Sequence, residues 1–393
     1  MNEIKDMIQQ EVECVLPDVV KWRRHFHKYP EVSGDEKNTS AYIQEQLKEL
    51  GIPFQNDVYG YAVVGSIEGA FPGPTVALRA DMDALPVTET TGLEFASATP
   101  GVMHACGHDS HMAIALGAAA VLKKIAHTLH GTVKLIFQPA EEEALLAGAV
   151  NIVKAGVLDD VVSIYGLHVW PELPVGTVGL KKGHLMAASD RFKVHIHGKS
   201  THGATPHLGT DAIVAAAQWI VAIQALISRE TNPMEQAVCT VGVLNSGVRY
   251  NVGAEDVYLE GTCRTYDPAK RDWMERRLAE TLQGLDTMYG TTSTLDYKRG
   301  HGATINHDEA IEYLTTVGQT YLGKEAIVHP AEPSMAAEDF SAYLQATSGA
   351  FVWLGTGTSN TPALHHSAFT IDESILSTGV TLMSAAMAEQ LKG

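Results

Sequence analysis

The chain has 393 residues, 45% apolar and 19% charged, a composition that fills two or three domains with core and excludes a mini-protein or a disordered chain. Its 28 Lys and Arg stand against 46 Asp and Glu, a formal charge of −18 that repels phosphate backbones and anionic headgroups, so neither nucleic acid nor an acidic membrane is an expected partner. Four cysteines (Cys14, Cys106, Cys239, Cys263) are too sparse for a disulfide framework and read as reduced thiols, whereas 18 His supply side chains that hold transition metals.

The opening MNEIKDMIQQEVEC is charged where a signal peptide needs an apolar run, and no stretch reaches the ~18 apolar residues of a membrane span, so a cytoplasmic protein is expected. Apolar spacing predicts helix from Val19 to Leu50, stopped by Gly51. From Pro74 onward, strand-length apolar runs alternate with Ala-rich stretches of helix length, which predicts an α/β domain with a mainly parallel sheet. The runs TVALRADMD, TVKLIFQPAEE and SIYGLHVWP end in polar residues, and FVWLGTG leads to ALHHSAF. Open α/β sheets gather their sites beyond the carboxyl ends of their strands, which puts Asp81, Asp83, Glu141, Glu142 and His168 on one side.

The middle of the chain has a different rhythm. Strands are expected at 191–197, 237–244, 257–266 and 291–297, with helices at 211–229 and 268–288. The order βαββαβ is that of a ferredoxin-like unit. The expected organisation is a larger mixed-sheet catalytic domain over 1–187 and 302–393, with an inserted ferredoxin-like domain over 188–301.

In HACGHDSH (104–111), Cys106 and His108 lie two apart in a turn ahead of an Ala-rich helix. Thiolate plus imidazole suits zinc, with cobalt, nickel or manganese as alternatives, while the bland reading is a buried Cys beside a surface His. QPAEEE puts three carboxylates, Glu141 to Glu143, after a buried strand. By itself this reads as a solvated acidic turn. Beside Asp81, Asp83, His168 and the Cys106 turn, two divalent metals ~3.5–4 Å apart would absorb the charge and activate water for hydrolysis.

The motifs RRHFHKYPEVS (23–33), RADMDALP (79–86), HACGHDSHMA (104–113), FQPAEEE (137–143), YGLHVWP (165–171), AEDFSAYL (337–344) and LHHSAF (364–369) stand in an order that resembles one known family. It is the aminoacylase, hippurate hydrolase and indole-acetyl-amino-acid hydrolase branch of the co-catalytic di-metal peptidases. The resemblance implies metal ligands at Cys106, His108, Glu142, His168 and His365, a general base at Glu141 and a supporting carboxylate at Asp83. Asp81 occupies a position that is a His ligand in related branches and reads as an outer residue here. His366 neighbours the ligand position and is the alternative to His365.

Three residues of the inserted domain carry roles only through the resemblance. Taken alone, His202, Asn251 and Arg264 read as a solvated loop His, a loop amide and a surface ion-pair Arg. The resemblance implies that His202 helps stabilise an oxyanion, often across a dimer, and that Asn251 and Arg264 hold a substrate carboxylate, for which the guanidinium fork is suited. One departure stands out: the Gly-rich loop that commonly follows the family's Glu pair is replaced by the longer, more apolar 143–148 segment, which bears on substrate preference.

The expected function is metal-dependent hydrolysis of a small N-acyl amino acid to a carboxylic acid and a free amino acid, with two divalent ions, zinc first, and a homodimer through the lid. A dipeptidase or carboxypeptidase with the same machinery is the nearest rival. A non-catalytic metal- or peptide-binding protein is the remote one, since it has no use for a general base at Glu141. A nucleophilic hydrolase is a weaker rival still, since no G-x-S-x-G elbow appears and Cys106 is better used as a ligand than as an attacking thiolate.

Overall fold

The computed structural model describes residues 2–393 and divides them into two compact units. The first holds the residues up to Leu185 with Ile305–Pro333 and Asp339–Gly393; the second holds Met186–Thr304 with Ser334–Glu338.

The first unit is an α/β body around an eight-stranded mixed sheet. Its strands run in the order Phe54–Gln55, Val63–Glu68, His130–Gln138, Phe71–Asp81, Val161–Pro174, Ser348–Gly357, Val178–Gly179, Ile327–Val328. The four central strands are mutually parallel, and the antiparallel Val63–Glu68 lies beside His130–Gln138. Within those strands residues 76–78, 135–137 and 351–354 are apolar and buried without alternation because both faces are covered there. Helices Asn2–Lys28, His108–Ile125 and Ile375–Gln390 pack together, and Leu116, Ala118, Ala119, Val380 and Leu382 bury between them and the sheet. Burial on almost every side of His108–Ile125 explains its run of small residues.

The helix expected from Val19 to Leu50 is two helices, Asn2–Lys28 and Lys37–Glu49. Pro30 and the left-handed Gly34 (φ +87°) separate them, since neither continues a helical backbone. The first helix begins 17 residues earlier than expected because Pro17 reads as a breaker yet lies inside it, Ile8, Val12 and Val19 supplying the buried stripe.

The second unit carries a four-stranded antiparallel sheet in the order Ala237–Ser246, Asp256–Thr265, Ala188–His197, Thr292–Arg299, with helices Ala212–Ser228 and Pro268–Tyr289. Phe192, Val194, Ile196, Leu259, Trp219, Leu278 and Leu282 form its own core. Asp211 and Asp267 cap the two helices, each carboxylate accepting two first-turn amides. Ser334–Glu338, which the sequence pattern leaves with the larger domain, belongs to this unit: Met186 bridges Ser334, and the Ala187 amide donates to Ser334 and Ala336 carbonyls. Pairing between segments nearly 150 residues apart leaves no local periodicity to read. Among the described residues no helix is long and apolar enough to cross a membrane.

Candidate metal centre

The parallel strands bring the donors to one level. Arg79 pairs with Gly166, so the strand ending at Asp81 stops level with His168, whose own strand continues along Ser348–Gly357. Cys106 and His108 flank Gly107, which opens helix His108–Ile125 in the left-handed region (φ +86°); a Cβ there would meet Val169 at 2.4 Å. Only glycine allows that turn to press against the strand carrying His168. Glu141 and Glu142 follow Ala140, a left-handed alanine (φ +57°), and His365 is itself left-handed (φ +66°). Each costs roughly 1–3 kcal/mol and persists because other contacts hold it. The Ala140 amide donates to Glu36 at 2.8 Å and the His365 amide to the Ala105 carbonyl at 2.8 Å.

The side chains then converge. Cys106 Sγ lies 3.4 Å from His168 Nε2 and 3.3 Å from His365 Nε2, and His365 Nε2 lies 3.4 Å from Glu142 Oε1. His108 Nε2 stands 3.7 Å from Asp81 and 4.0 Å from Glu142. Donor atoms of Cys106, His108 and His168, of Cys106, Glu142 and His365, and of His108, Glu141 and Glu142 form three overlapping groups, each within 4.8 Å. His365 is 55% exposed and Glu142 14%, while His108 is wholly buried, so this cluster opens on the His365 side. His366 stays outside the cluster: its Nδ1 accepts the Ala368 amide.

A second layer orients these groups. The His108 Nδ1–H donates to the Asp83 carbonyl at 2.8 Å, and the His168 Nδ1–H to the Val169 carbonyl at 2.7 Å, which leaves Nε2 of each ring as the atom that meets the other donors. Asp83 Oδ2 accepts the Ser33 hydroxyl at 2.6 Å and the Glu142 amide at 2.9 Å. Asp81 is held by Arg79 at 2.7 Å and His111 at 2.6 Å, and its donor atom groups with those of His108 and His111 within 4.8 Å. Arg79 also reaches Asp339 at 2.8 Å, and the Asp339 amide approaches Glu141 Oε1 at 3.4 Å. Arg79, His111, Ser33, Glu36 and Asp339 all lie in or beside the recognisable motifs, but nothing in their spacing tells an outer residue from a ligand.

The electrostatics call for a cation. Burial pushes the Cys106 thiol well up, and Glu142 and Glu141 push it further. Burial lowers His168 well below the usual imidazole range. Burial also disfavours charge on His108, but Asp81 and Asp83 outweigh it and carry that ring up to about 10. His108 Nε2, Glu142 Oε1 and Asp83 Oδ1 are buried without a hydrogen-bond partner among the described residues. Orphaned atoms of this kind cost about 1–3 kcal/mol each, and a divalent ion offsets that while favouring the thiolate and the neutral imidazoles. The soft and borderline donors, one Cys and three His beside one Glu, fit a transition metal.

The profile of peptidase family M20/M25/M40 matches residues 77–389. The chain belongs to this family. Relatives cover nearly all of it: an N-acetyl-L-cysteine deacetylase of Bacillus subtilis (strain 168) is 44% identical over 90% of this chain and 83% of its own length. Thermostable carboxypeptidase 1 of Saccharolobus solfataricus is 37% identical over 96% of each chain. Among solved structures, the Bacillus subtilis YXEP protein, described as a dinuclear metal-binding peptidase from the M20 family, superposes with a TM-score of 0.85 at 35% identity, covering 96% of this chain and 99% of its own.

In the second unit, His202 pairs with Val252 in a two-stranded ribbon and its Nδ1 accepts the Ala204 amide at 3.1 Å, so its proton sits on Nε2. Asn251 Oδ1 is buried without a partner among the described residues. Arg264 is half-buried on strand Asp256–Thr265, makes no ion pair among the described residues, and is lowered by burial.

Proposed function

We propose that the chain is a metal-dependent amidohydrolase that cleaves N-acyl amino acids, with two divalent ions, zinc first, held by Cys106, His108, Glu142, His168 and His365. The observation that carries this reading is a buried general-base candidate, Glu141, in the same 4.8 Å donor group as His108 and Glu142. A bound metal pair supplies a water of lowered pKa and polarises the substrate carbonyl. Glu141 takes the proton of the attacking water and returns it to the leaving amine. Asp83 keeps the His108 Nδ1–H in place through its carbonyl and the Glu142 turn through its carboxylate. The names of the relatives, a deacetylase of an N-acetyl amino acid among them, favour the linear amide over other bonds.

The second unit serves in this reading as a ferredoxin-like lid, inserted near residues 187 and 302. Its βαββαβ order with an antiparallel sheet supports that name. His202, through its Nε2–H, stabilises the oxyanion, and Asn251 and Arg264 hold the substrate carboxylate. Arg264, half-buried and without an ion pair among the described residues, supports the carboxylate role, to which Asn251 would add its Nδ2–H donors. Val221, Val243 and Leu244 are exposed on helix Ala212–Ser228 and strand Ala237–Ser246 of this unit, which supports a homodimer through it.

The carboxypeptidase among the relatives favours one second reading, peptide-bond cleavage by the same centre. A panel of N-acetyl and N-benzoyl amino acids beside dipeptides, assayed on metal-loaded protein, separates the two. Turnover of the N-acyl acids well above the dipeptides is the expected result. Cleavage of dipeptides alone would replace the first reading with the second.

A further inference from the structure

Glu36 is fully buried at the start of helix Lys37–Glu49, and none of its side-chain hydrogen bonds goes to that helix. The helix is capped instead by Glu31, whose carboxylate accepts the Asn38 amide at 3.1 Å and the Thr39 amide at 2.8 Å. Glu36 spends its two oxygens elsewhere: Oε2 accepts the Gly34 amide at 2.9 Å and Oε1 the Ala140 amide at 2.8 Å. Ala140 is the left-handed alanine directly ahead of Glu141. Two residues on, the Glu142 amide is held by Asp83, which is itself held by Ser33 from the Glu36 loop.

The turn therefore has two anchors with separate loads. Asp83 anchors the peptide of Glu142, a ligand residue, and Glu36 anchors the peptide that precedes the general base. We propose that Glu36 is a positioning residue for Glu141: its buried carboxylate holds the Ala140 peptide in a left-handed conformation that alanine otherwise disfavours, and so aims the Glu141 carboxylate. This rests on Glu141 being the general base, as in the proposed function. Burying a carboxylate costs free energy unless the amides it accepts are fixed, and both amides here belong to turns that Gly34 and Ala140 hold in the left-handed region.

The test compares Glu36→Ala, Ala140→Gly and the double variant with the parent chain, all metal-loaded. Glu36→Ala should lower kcat at least about tenfold, as misplacement of a reacting group does, with KM within about twofold and metal content unchanged because Asp83 still holds Glu142. Glycine adopts positive φ without strain, so adding Ala140→Gly should recover several-fold of the lost kcat. Hydrogen exchange should quicken in the 138–144 segment of both variants that lack Glu36. If Glu36→Ala fails to fold, Glu36→Gln, which keeps the volume and one acceptor, is compared in the same way. Unchanged exchange in that segment would overturn the anchor, and a folded, metal-loaded double variant with no recovery would overturn its role in aiming Glu141. A parent chain that turns over no N-acyl amino acid would remove the proposed function, and the exchange measurement would then judge the anchor alone.

Discussion

Asp81 and His111 share a 2.6 Å hydrogen bond whose direction is fixed from the far side of the ring: Nε2 of His111 accepts the Val169 amide at 3.0 Å, so Nδ1 carries the proton and donates it to Asp81. His111 thus ties the outer carboxylate to the strand segment next to His168. His111→Ala leaves the Val169 amide without its acceptor and removes one of the two side chains that donate hydrogen bonds to Asp81. Loss of an outer partner typically weakens metal binding 10–100-fold, roughly, and that loss should appear in a chelator competition. Retention equal to the parent chain would show that His111 only fills space.

Glu141 and Glu142 are adjacent, yet their surroundings differ. Glu142 faces His365 and His108, whereas Glu141 lies beside the Asp339 amide. Glu141→Gln keeps the shape and removes the proton acceptor, so turnover should fall by more than ~10²-fold with metal content intact. Loss of metal in Glu141→Gln, with metal retained in Glu142→Gln, would reverse the two roles.

Beneath the start of helix His108–Ile125, His27 bridges Asp109 at 2.9 Å and Glu89 at 3.1 Å, with Arg23 on Asp109 at 3.0 Å. Burial alone would lower His27, but the hydrogen bonds its ring donates to the two carboxylates reverse the sign and raise it to about 9. A raised basic pKa means that the folded state holds the proton more tightly than the unfolded chain. Its stabilisation is therefore complete below about pH 6.5 and lost as the pH rises through about 9. Asp109, held far below the usual carboxylate range, stays charged throughout that window. Urea unfolding at pH 6.5 and 9.5 should differ by a few kcal/mol in the parent chain, roughly, and by much less in His27→Gln. Equal pH slopes for the two proteins would contradict the bridge.

Arg264 supplies a contrast between substrates. If it holds the substrate carboxylate, Arg264→Ala should lower kcat/KM roughly 30-fold or more for an N-acyl amino acid and little for its carboxyl-amidated form. Equal losses on both would leave Arg264 as a support of its own strand.

The legible parts of the fold were those with a short period. RFKVHIH alternates because Phe192, Val194 and Ile196 face helices while Arg191, His195 and His197 do not, and a two-residue period survives in seven letters. The candidate ligands were legible because Cys106 with His108, and Glu141 with Glu142, are local pairs. The outer layer was not. Arg79 meets Asp339 across 260 positions, and Glu36 meets Ala140 across 104. Such contacts follow from strand order and loop conformation, which no window of sequence contains. The left-handed residues before Glu141 and at His365 were equally hidden, since Ala rarely adopts positive φ and the enrichment of His there does not single out one histidine among 18.

The central claim is that this centre works through bound divalent metal, and the most direct measurement is stepwise zinc titration of chelator-stripped protein, followed by turnover of an N-acetyl amino acid and by metal content. Turnover should be absent in the stripped protein and rise to a plateau at two ions per chain, with Cys106→Ser and His168→Ala failing to reach it. Full turnover in protein shown to be metal-free would contradict the account.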